Sequence, residues 1–112
     1  LLSEGVNKNR ITLQQLVNIT STNTAKIFGM YPTKGSFEPD SDADITLIDL
    51  NKEQKVTNDL FGGFSDYLIY EDWKLKGWPV KTIVRGQTVS EDFQVVAKCG
   101  DGELVSRKTN SI

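Results

Sequence analysis

The stretch from Asp44 to Leu50 constrains the fold of this chain more than any other. Largely apolar side chains lie on both faces of an extended strand here, with Ile45 and Leu47 on one face and Thr46, Ile48 and Leu50 on the other. A strand of this kind favours a position inside a layered sheet rather than at its edge. The sequence therefore predicts a central strand over 44–50, which Asn51 and Lys52 end.

Residues 10–30, which precede this strand, carry the signals of two short helices. Thr12 favours a helix N-cap, and Gln15 three residues later completes a capping box. The polar run 20–23 is predicted to interrupt the first helix, because its side chains compete for backbone hydrogen bonds. The second helix is predicted to end at Gly29, which suits the left-handed position that follows a helix. An apolar stripe at helical spacing marks the first helix: Leu13, Leu16, Val17 and Ile19.

The chain after residue 30 is predicted to form strands and turns. Alternating apolar and charged side chains predict a strong strand from Trp78 to Arg85. The turn at Arg85-Gly86-Gln87 predicts a hairpin. Helices first and strands later indicate an α+β fold or the junction of two domains. Shorter strands are predicted over 34–37, 54–57 and 93–97, and a long loop over 60–70.

Histidine is absent from all 112 residues, and this excludes several kinds of active site. Catalytic zinc sites, serine-type triads and cysteine–histidine dyads nearly all use histidine. The chain therefore builds none of these sites in its usual form. It also begins at Leu1 rather than at a methionine. Together these facts lead us to expect a piece of a larger protein.

The charge and hydropathy patterns argue against nucleic-acid and membrane partners. The formal net charge is −2, and the basic residues are scattered, with Lys74, Lys76 and Lys81 as the closest grouping. A nucleic-acid surface needs clustered Lys and Arg, and no apolar run approaches the ~20 residues that span a bilayer. A single cysteine, Cys99, forms no internal disulfide, which favours a reducing, cytoplasmic setting.

The acidic residues before the central strand suggest two kinds of site, and their spacing fits neither. A calcium loop counted from Asp40 needs Gly at its sixth position and Glu at its twelfth, where this chain has Ile45 and Asn51. The run from Asp42 to Thr46 has the D-x-D-x-T spelling of phosphoryl-transferring hydrolases, whose nucleophilic Asp follows a buried strand. Here the apolar strand comes after the motif, so a turn of solvated acids is the favoured interpretation.

The remaining candidates for chemistry each lack a required partner. Gly62-Gly63 is too short for a phosphate-binding loop, and Cys99 has no histidine partner. Glu71 and Asp72 have nothing nearby that would tune them for acid–base catalysis. No catalytic, cofactor-binding or metal-ligating residue is therefore predicted in this chain. Four aromatic residues form either a binding face or the cover of a core or subunit interface: Tyr67, Tyr70, Trp73 and Trp78.

Three stretches match the motifs of one known family, in the family's order. Residues 10–13 and 21–29 are similar to a pattern that ends in S-T-N-P-A-K-x-F-G-L, with Thr24 in place of the proline. Residues 34–45 are similar to K-G-x-I-x-x-G-S-D-A-D-I, with Asp40 in place of the second glycine, and 73–86 supply the third motif. The chain thus resembles the C-terminal part of the cyclic amidohydrolases, the hydantoinase, dihydropyrimidinase and allantoinase group of the amidohydrolase superfamily.

The resemblance implies a fold in which a metal-bearing (β/α)8 barrel carries a β-sandwich built from both ends of the chain. Residues 1–30 would be the last helices packing on the barrel. Residues 31–97 would be the C-terminal share of the sandwich, and residues 98–112 an extended tail at a subunit interface.

The resemblance also implies a function for the parent protein. There, two divalent metal ions, expected to be zinc, lower the pKa of a bridging water that opens a dihydropyrimidine or hydantoin-like ring at a C–N bond. The family's metal ligands lie on barrel strands upstream of the matched motifs. This chain would then be structural and oligomerising, with the rest of the parent and further copies as its partners, and a small cyclic amide as the parent's substrate.

Three other interpretations stay open. The parent could be an allantoinase, or a non-catalytic dihydropyrimidinase-like protein that keeps the fold without the metal ligands. The 112 residues could also be a stand-alone β-rich binding module. A His-x-His pair upstream would favour the enzyme, whereas independent folding of the isolated chain would favour the module.

Overall fold

A computed structural model of the chain describes residues 1–61 and 64–108. In these residues four strands, paired in chain order, form one antiparallel sheet. The predicted α+β class, with helices before strands, is confirmed. The elements are a π-helical turn over Leu2–Val6, α1 over Leu13–Val17, a π-helical turn over Asn18–Thr22, α2 over Asn23–Ile27, β1 over Ile45–Lys55, a 3₁₀ turn over Asn58–Phe61, β2 over Lys74–Val84, β3 over Gln87–Glu91 and β4 over Gln94–Val95.

The helical region begins and ends where the sequence predicts. Thr12 Oγ1 accepts the N–H of Gln15 at 3.1 Å, and Gln15 Oε1 accepts the N–H of Thr12 at 2.8 Å. This capping box satisfies two amides that the first helical turn leaves unpaired. Gly29 has a φ of +70°, the left-handed conformation predicted after the helix.

The polar run 20–23 does not interrupt the helix, contrary to the prediction. The π-helical turn Asn18–Thr22 joins α1 directly to α2, so helical structure continues from Leu13 to Ile27. Thr20 and Thr24 donate their hydroxyl hydrogens to the carbonyl oxygens of Leu16 and Ile19, at 2.8 and 2.9 Å. Such bonds back to the preceding turn let polar side chains remain inside a helix.

Strand β1 is longer than the strand predicted over 44–50. It also includes residues 54–55, which were predicted to begin a separate strand over 54–57. The register with β2 shifts after Asp49, which marks a bulge. Asp49 Oδ1 accepts the N–H groups of Asn51 and Lys52 at 2.8 and 3.1 Å. This side chain bonds two amides at the bulge, so Asn51 and Lys52 bend the strand instead of ending it.

Strand β1 lies at an edge of the sheet in the part of the chain that the structure describes, so the prediction of a central strand is wrong there. It pairs with β2 and no other described strand. Leu47, Ile48 and Leu50 are exposed. The apolar character of both faces was correctly seen in the sequence, but it produces exposed apolar surface rather than an interior position.

Residues 34–37 form a bend followed by irregular backbone, not the predicted short strand. Gly35 has a φ of +77°, and a Cβ at this position would lie 2.7 Å from the Cβ of Ala25. The glycine therefore lets the loop pack its backbone directly against α2. The described part of 60–70 contains no strand, as predicted.

The hairpin between β2 and β3 forms as predicted. Arg85 and Gly86 have φ values of 47° and 79°, and Gln87 begins β3. Positive φ at both central residues is the requirement of the type I′ turn, whose twist matches that of a hairpin. The strand predicted over 93–97 is reduced to Gln94–Val95.

The core of the described chain is small. The buried apolar side chains within it are Leu16, Ala25, Val56 and Trp78. Trp78 packs edge-on against Phe93, with ring centroids 5.4 Å apart. The N-terminal turn is fixed to the sheet by Asn7, whose Nδ2 donates to the carbonyl oxygen of Lys76 at 2.8 Å. Among the described residues, no helix has the length and apolar character required to cross a bilayer.

Candidate functional site

Lys34, Asp42 and Asp44 form a cluster of charges at the start of β1, here called the Lys34 junction. Lys34 Nζ lies 2.8 Å from Asp42 Oδ2 and also donates a hydrogen bond to Asp44 Oδ2. The Lys34 side chain is 15% exposed, against 32% and 31% for the two aspartates. The junction is therefore a partly buried set of ion pairs, which water screens less than an exposed pair.

The second carboxylate oxygen of Asp44 reaches the tip of the β2–β3 hairpin. Asp44 Oδ1 accepts the backbone N–H of Arg85 at 2.9 Å. Next to it, the carbonyl oxygen of Ala43 accepts the N–H of Gly86 at 3.0 Å. Both oxygens of Asp44 are thus engaged, and its carboxylate links the loop before β1 to the hairpin turn.

Hydroxyl groups fix the same loop to itself and to the helical region. Ser36 Oγ and Ser41 Oγ lie 2.6 Å apart, and they donate to the carbonyl oxygen of Pro32 at 3.0 and 2.8 Å. Thr22 Oγ1 donates to the carbonyl oxygen of Gly35 at 2.9 Å. These bonds hold the loop against the helix, which sets the position of Lys34 relative to the two aspartates.

The charges of the junction alter the titration of its members in opposite directions. Partial burial alone would lower the pKa of Lys34, but hydrogen bonds and charges from Asp42 and Asp44 outweigh it and hold that pKa above its ordinary value. Burial alone would raise the pKa of Asp44, whereas Lys34 and the backbone N–H of Arg85 bring it below its ordinary value. Lys34 and Asp44 are therefore both charged near neutral pH.

The chemistry of the Lys34 junction does not fit a metal site or an acid–base catalyst. A hard cation needs about six oxygen ligands, and here the two nearest carboxylates already share the ammonium group of Lys34. No group of three or more His, Cys, Asp or Glu suited to a metal occurs among the described residues. An open groove of roughly 830 Å³ borders the junction, but Lys34 and Asp44 in its wall are already paired. The arrangement supports a structural role.

The other sequence candidates lie apart from this junction. Asp72 pairs with Lys55, whose Nζ lies 2.7 Å from its carboxylate on the surface. Cys99 is exposed, and Gly62-Gly63 lies outside the described residues. Of the four aromatic candidates, Tyr70 packs edge-on against Trp73 at 5.4 Å, whereas Trp78 is buried against Phe93. Tyr70 and Trp73 thus contact each other, whereas Trp78 contacts Phe93, so the four candidates do not form one face.

Comparison with known proteins gives this geometry its context. A sequence profile of the amidohydrolase family matches residues 1–89. The chain belongs to the amidohydrolase family. Among curated amidohydrolase relatives, the D-hydantoinase of Geobacillus stearothermophilus is 42% identical over 107 residues, which are 96% of this chain and 23% of the relative. The L-hydantoinase of Paenarthrobacter aurescens is 38% identical over 108 residues, which are 96% of this chain and 24% of the relative.

Solved amidohydrolase structures share the fold of this chain. A crystal structure of a D-hydantoinase has a TM-score of 0.91 at 42% identity, and the match covers 96% of this chain and 24% of that one. The dihydropyrimidinase from Brevibacillus agri also has a TM-score of 0.91, at 39% identity, with 97% and 24% of the two chains covered. The resemblance to hydantoinases and dihydropyrimidinases is therefore confirmed. The chain spans about a quarter of the length of the relatives it matches.

The Lys34 junction was missed at the level of sequence, although its residues were quoted for the resemblance. The available signal was a basic residue eight and ten positions before two acidic ones, across a loop with Gly35 and Pro39. Such spacing does not define a contact, because the loop conformation decides whether the charges meet. The link from Asp44 to Arg85, 41 residues away, had no local signal at all.

Proposed function

We propose that this chain is the structural part of a metal-dependent amidohydrolase that opens cyclic amides of the dihydropyrimidine or hydantoin type at a C–N bond. The observation that carries this proposal is the match of nearly the whole chain to D- and L-hydantoinases, at 42% and 38% identity. The ligands of a catalytic metal, expected to be zinc, would come from other parts of the protein, since the donor set here does not fit such a centre.

Within that enzyme we assign a role to each part of the chain. Residues 1–30 would pack as the last helices on the (β/α)8 barrel, residues 31–97 would form the C-terminal share of a β-sandwich, and residues 98–112 would lie as a tail at a subunit interface. The exposed apolar side chains of Leu13 and Val17 support the first assignment. The position of β1 at an edge of the sheet among the described strands, together with its exposed apolar side chains, supports the second.

A complementation experiment tests the proposal. The D-hydantoinase of Geobacillus stearothermophilus would be shortened by the quarter that this chain matches and then coexpressed with the chain. We expect the chain alone, and the shortened enzyme alone, to leave hydantoin and dihydropyrimidine substrates intact with or without added zinc. Together they should recover ring opening, because the chain supplies the missing helices and strands.

The controls separate the alternatives. The Lys34→Met variant should rescue less activity than the unchanged chain, because it leaves two carboxylates facing each other without a cation. Zinc-dependent turnover by the chain alone would contradict the structural role. Absence of binding to the shortened enzyme, with a well-folded chain, would favour a stand-alone module.

A further inference from the structure

The tail segment 99–108, here called the strap, crosses from the hairpin tip to the end of the helical region. At its first end, Arg85 Nη2 donates to the carbonyl oxygen of Asp101 at 2.6 Å and lies 3.5 Å from a carboxylate oxygen of Glu103. At its second end, the backbone N–H of Lys108 donates to the carbonyl oxygen of Gly29 at 2.9 Å. Polar contacts at two points therefore fix the strap to its own chain.

Apolar packing in the middle of the strap is slight, since Val105 is half-buried and the apolar side chains around it are exposed. Leu104 is 101% exposed, and its side chain faces solvent. Ile27 and Phe28, which border the strap at the end of α2, are exposed as well. These two residues and strap residues 104–108 line an open groove of roughly 620 Å³. The closed position consequently depends on its two end contacts, since little apolar area is removed from water between them.

The second contact requires glycine at position 29. A Cβ built on Gly29 would lie 2.1 Å from the carbonyl oxygen of Lys108, a distance at which one of the two groups must move. Gly29 thus has two independent constraints: its left-handed φ of +70° and the close approach of the strap. The two constraints can be separated, because asparagine accepts the left-handed conformation but still carries a Cβ.

We propose that the strap closes against its own chain and is held there by Arg85 at one end and Gly29 at the other. This closed position depends on ionic strength through the Arg85 contacts. The guanidinium group carries two of the contacts, and it is charged at every physiological pH. Salt weakens its attraction to Glu103, since the screening length falls to about 3 Å at 1 M salt. This inference concerns the chain itself and does not depend on the enzyme to which it belongs.

Hydrogen exchange of the Lys108 amide, followed by NMR on the full 112-residue chain, tests whether the strap is closed. In the unchanged chain at low salt this amide should exchange slowly, and 1 M salt should accelerate it. The Arg85→Gln variant should exchange about tenfold faster at low salt, the effect of losing a charge-assisted hydrogen bond. Added salt should have little effect on the Lys108 exchange rate of this variant. The Lys108 exchange rate of Arg85→Lys should fall between those of the unchanged chain and Arg85→Gln, because lysine keeps the positive charge but lacks the planar set of N–H donors.

The second end has its own matched pair of variants. Gly29→Asn should accelerate exchange at Lys108 by about the tenfold that a lost hydrogen bond predicts, because its Cβ meets the strap. Gly86→Asn is the control, since Gly86 has a similar φ of +79° and a Cβ there meets nothing within 4 Å. The Val56 amide, bonded to the carbonyl oxygen of Trp73 at 2.8 Å, reports whether the sheet stays folded.

Three results would overturn the proposal. The first is exchange at Lys108 as fast as in an unfolded peptide, which would mean that the strap is open in the unchanged chain. The second is an unchanged Lys108 rate in both Arg85→Gln and Gly29→Asn while Val56 stays protected. Exchange rates that fall on tenfold concentration of the sample would instead assign the contact to a second copy, which contradicts closure in cis.

Discussion

At the scale of single residues, Asp44 does the most to connect distant parts of this amidohydrolase chain. One carboxylate oxygen accepts from Lys34 and the other from the backbone N–H of Arg85, 41 residues further on. A carboxylate that accepts bonds on both oxygens stabilises the fold chiefly in its ionised form, since protonation removes one acceptor site. The side chain therefore couples the charge of one group to the packing of the loop and the hairpin.

The pH dependence of stability follows from this geometry. Because the pKa of Asp44 is lowered in the folded chain, its contribution is fully present above the ordinary aspartate pKa and is lost as the pH falls through the lowered one. We expect Asp44→Asn to reduce the free energy of unfolding by about 1–2 kcal/mol at pH 7. The deficit should begin to shrink once the pH falls below the ordinary aspartate pKa of about 3.9, and it should vanish only below the lowered pKa.

Urea unfolding at a fixed protein concentration measures this effect. The control is Asp66→Asn, which changes an exposed carboxylate in the 60–70 loop and should alter stability by less than about 0.5 kcal/mol. An Asp44→Asn deficit that is equal at pH 7 and pH 3 would show that the ionised carboxylate is not what stabilises the junction.

At the scale of elements, the sequence predicted features that depend on neighbours along the chain. Thr12 and Gln15 are three residues apart, and Arg85 and Gly86 are adjacent, so the capping box and the hairpin turn were both foreseeable. The continuity of β1 was not, because the strand continues past the bulge at Asp49 by pairing with β2, which is distant in the chain. The bend at Gly35 was missed because its cause is contact with Ala25 on α2.

The contact between the loop and α2 gives a prediction at this scale. Gly35→Ala combines a positive φ with a Cβ 2.7 Å from the Cβ of Ala25, whereas Gly86→Ala has a similar φ and open space. We expect Gly86→Ala to cost about 1 kcal/mol, the conformational penalty alone. Gly35→Ala should cost about 1–3 kcal/mol more, because the loop must move away from the helix.

The denaturant midpoints of the two variants are compared at the same protein concentration. Their difference measures the cost of the contact between the added methyl group and Ala25. The α-helical signal in circular dichroism should survive in both, since neither substitution lies inside α1 or α2. Equal destabilisation by the two variants would mean that the loop adjusts to the added methyl group without loss.

At the scale of the whole molecule, the sequence predicted apolar surface correctly and its placement only in part. Leu13 and Val17 are 43% and 41% exposed, as expected of a stripe that faces a missing partner, whereas Leu16 of the same stripe is 6% exposed. Periodicity identifies the face of a helix but not how much of it the chain covers by itself. The candidate site was equally hard to predict from the sequence. The motifs identified the family, but the Lys34 junction forms through contacts between segments that are separate in the chain.

Self-association of the free chain is the last prediction. The chain buries few apolar side chains, exposes those of α1 and leaves β1 at a sheet edge in the described residues. Exposed apolar surface and an unpaired edge both favour association. We therefore expect sedimentation velocity at micromolar concentration to detect dimers or larger species, and the double change Leu13→Gln and Val17→Gln to shift the distribution toward the monomer.

A control separates the helix stripe from exposed apolar surface in general. Phe64 is 108% exposed and belongs to the 60–70 loop rather than to the helix stripe, so Phe64→Ser should leave the distribution unchanged. A monomer at all concentrations, with one cooperative thermal transition, would contradict the prediction and favour a self-sufficient module. An associating chain that ignores the Leu13 and Val17 changes would instead assign the contact to the edge of β1, where Leu47→Lys should abolish it, because an edge lysine opposes pairing with another strand.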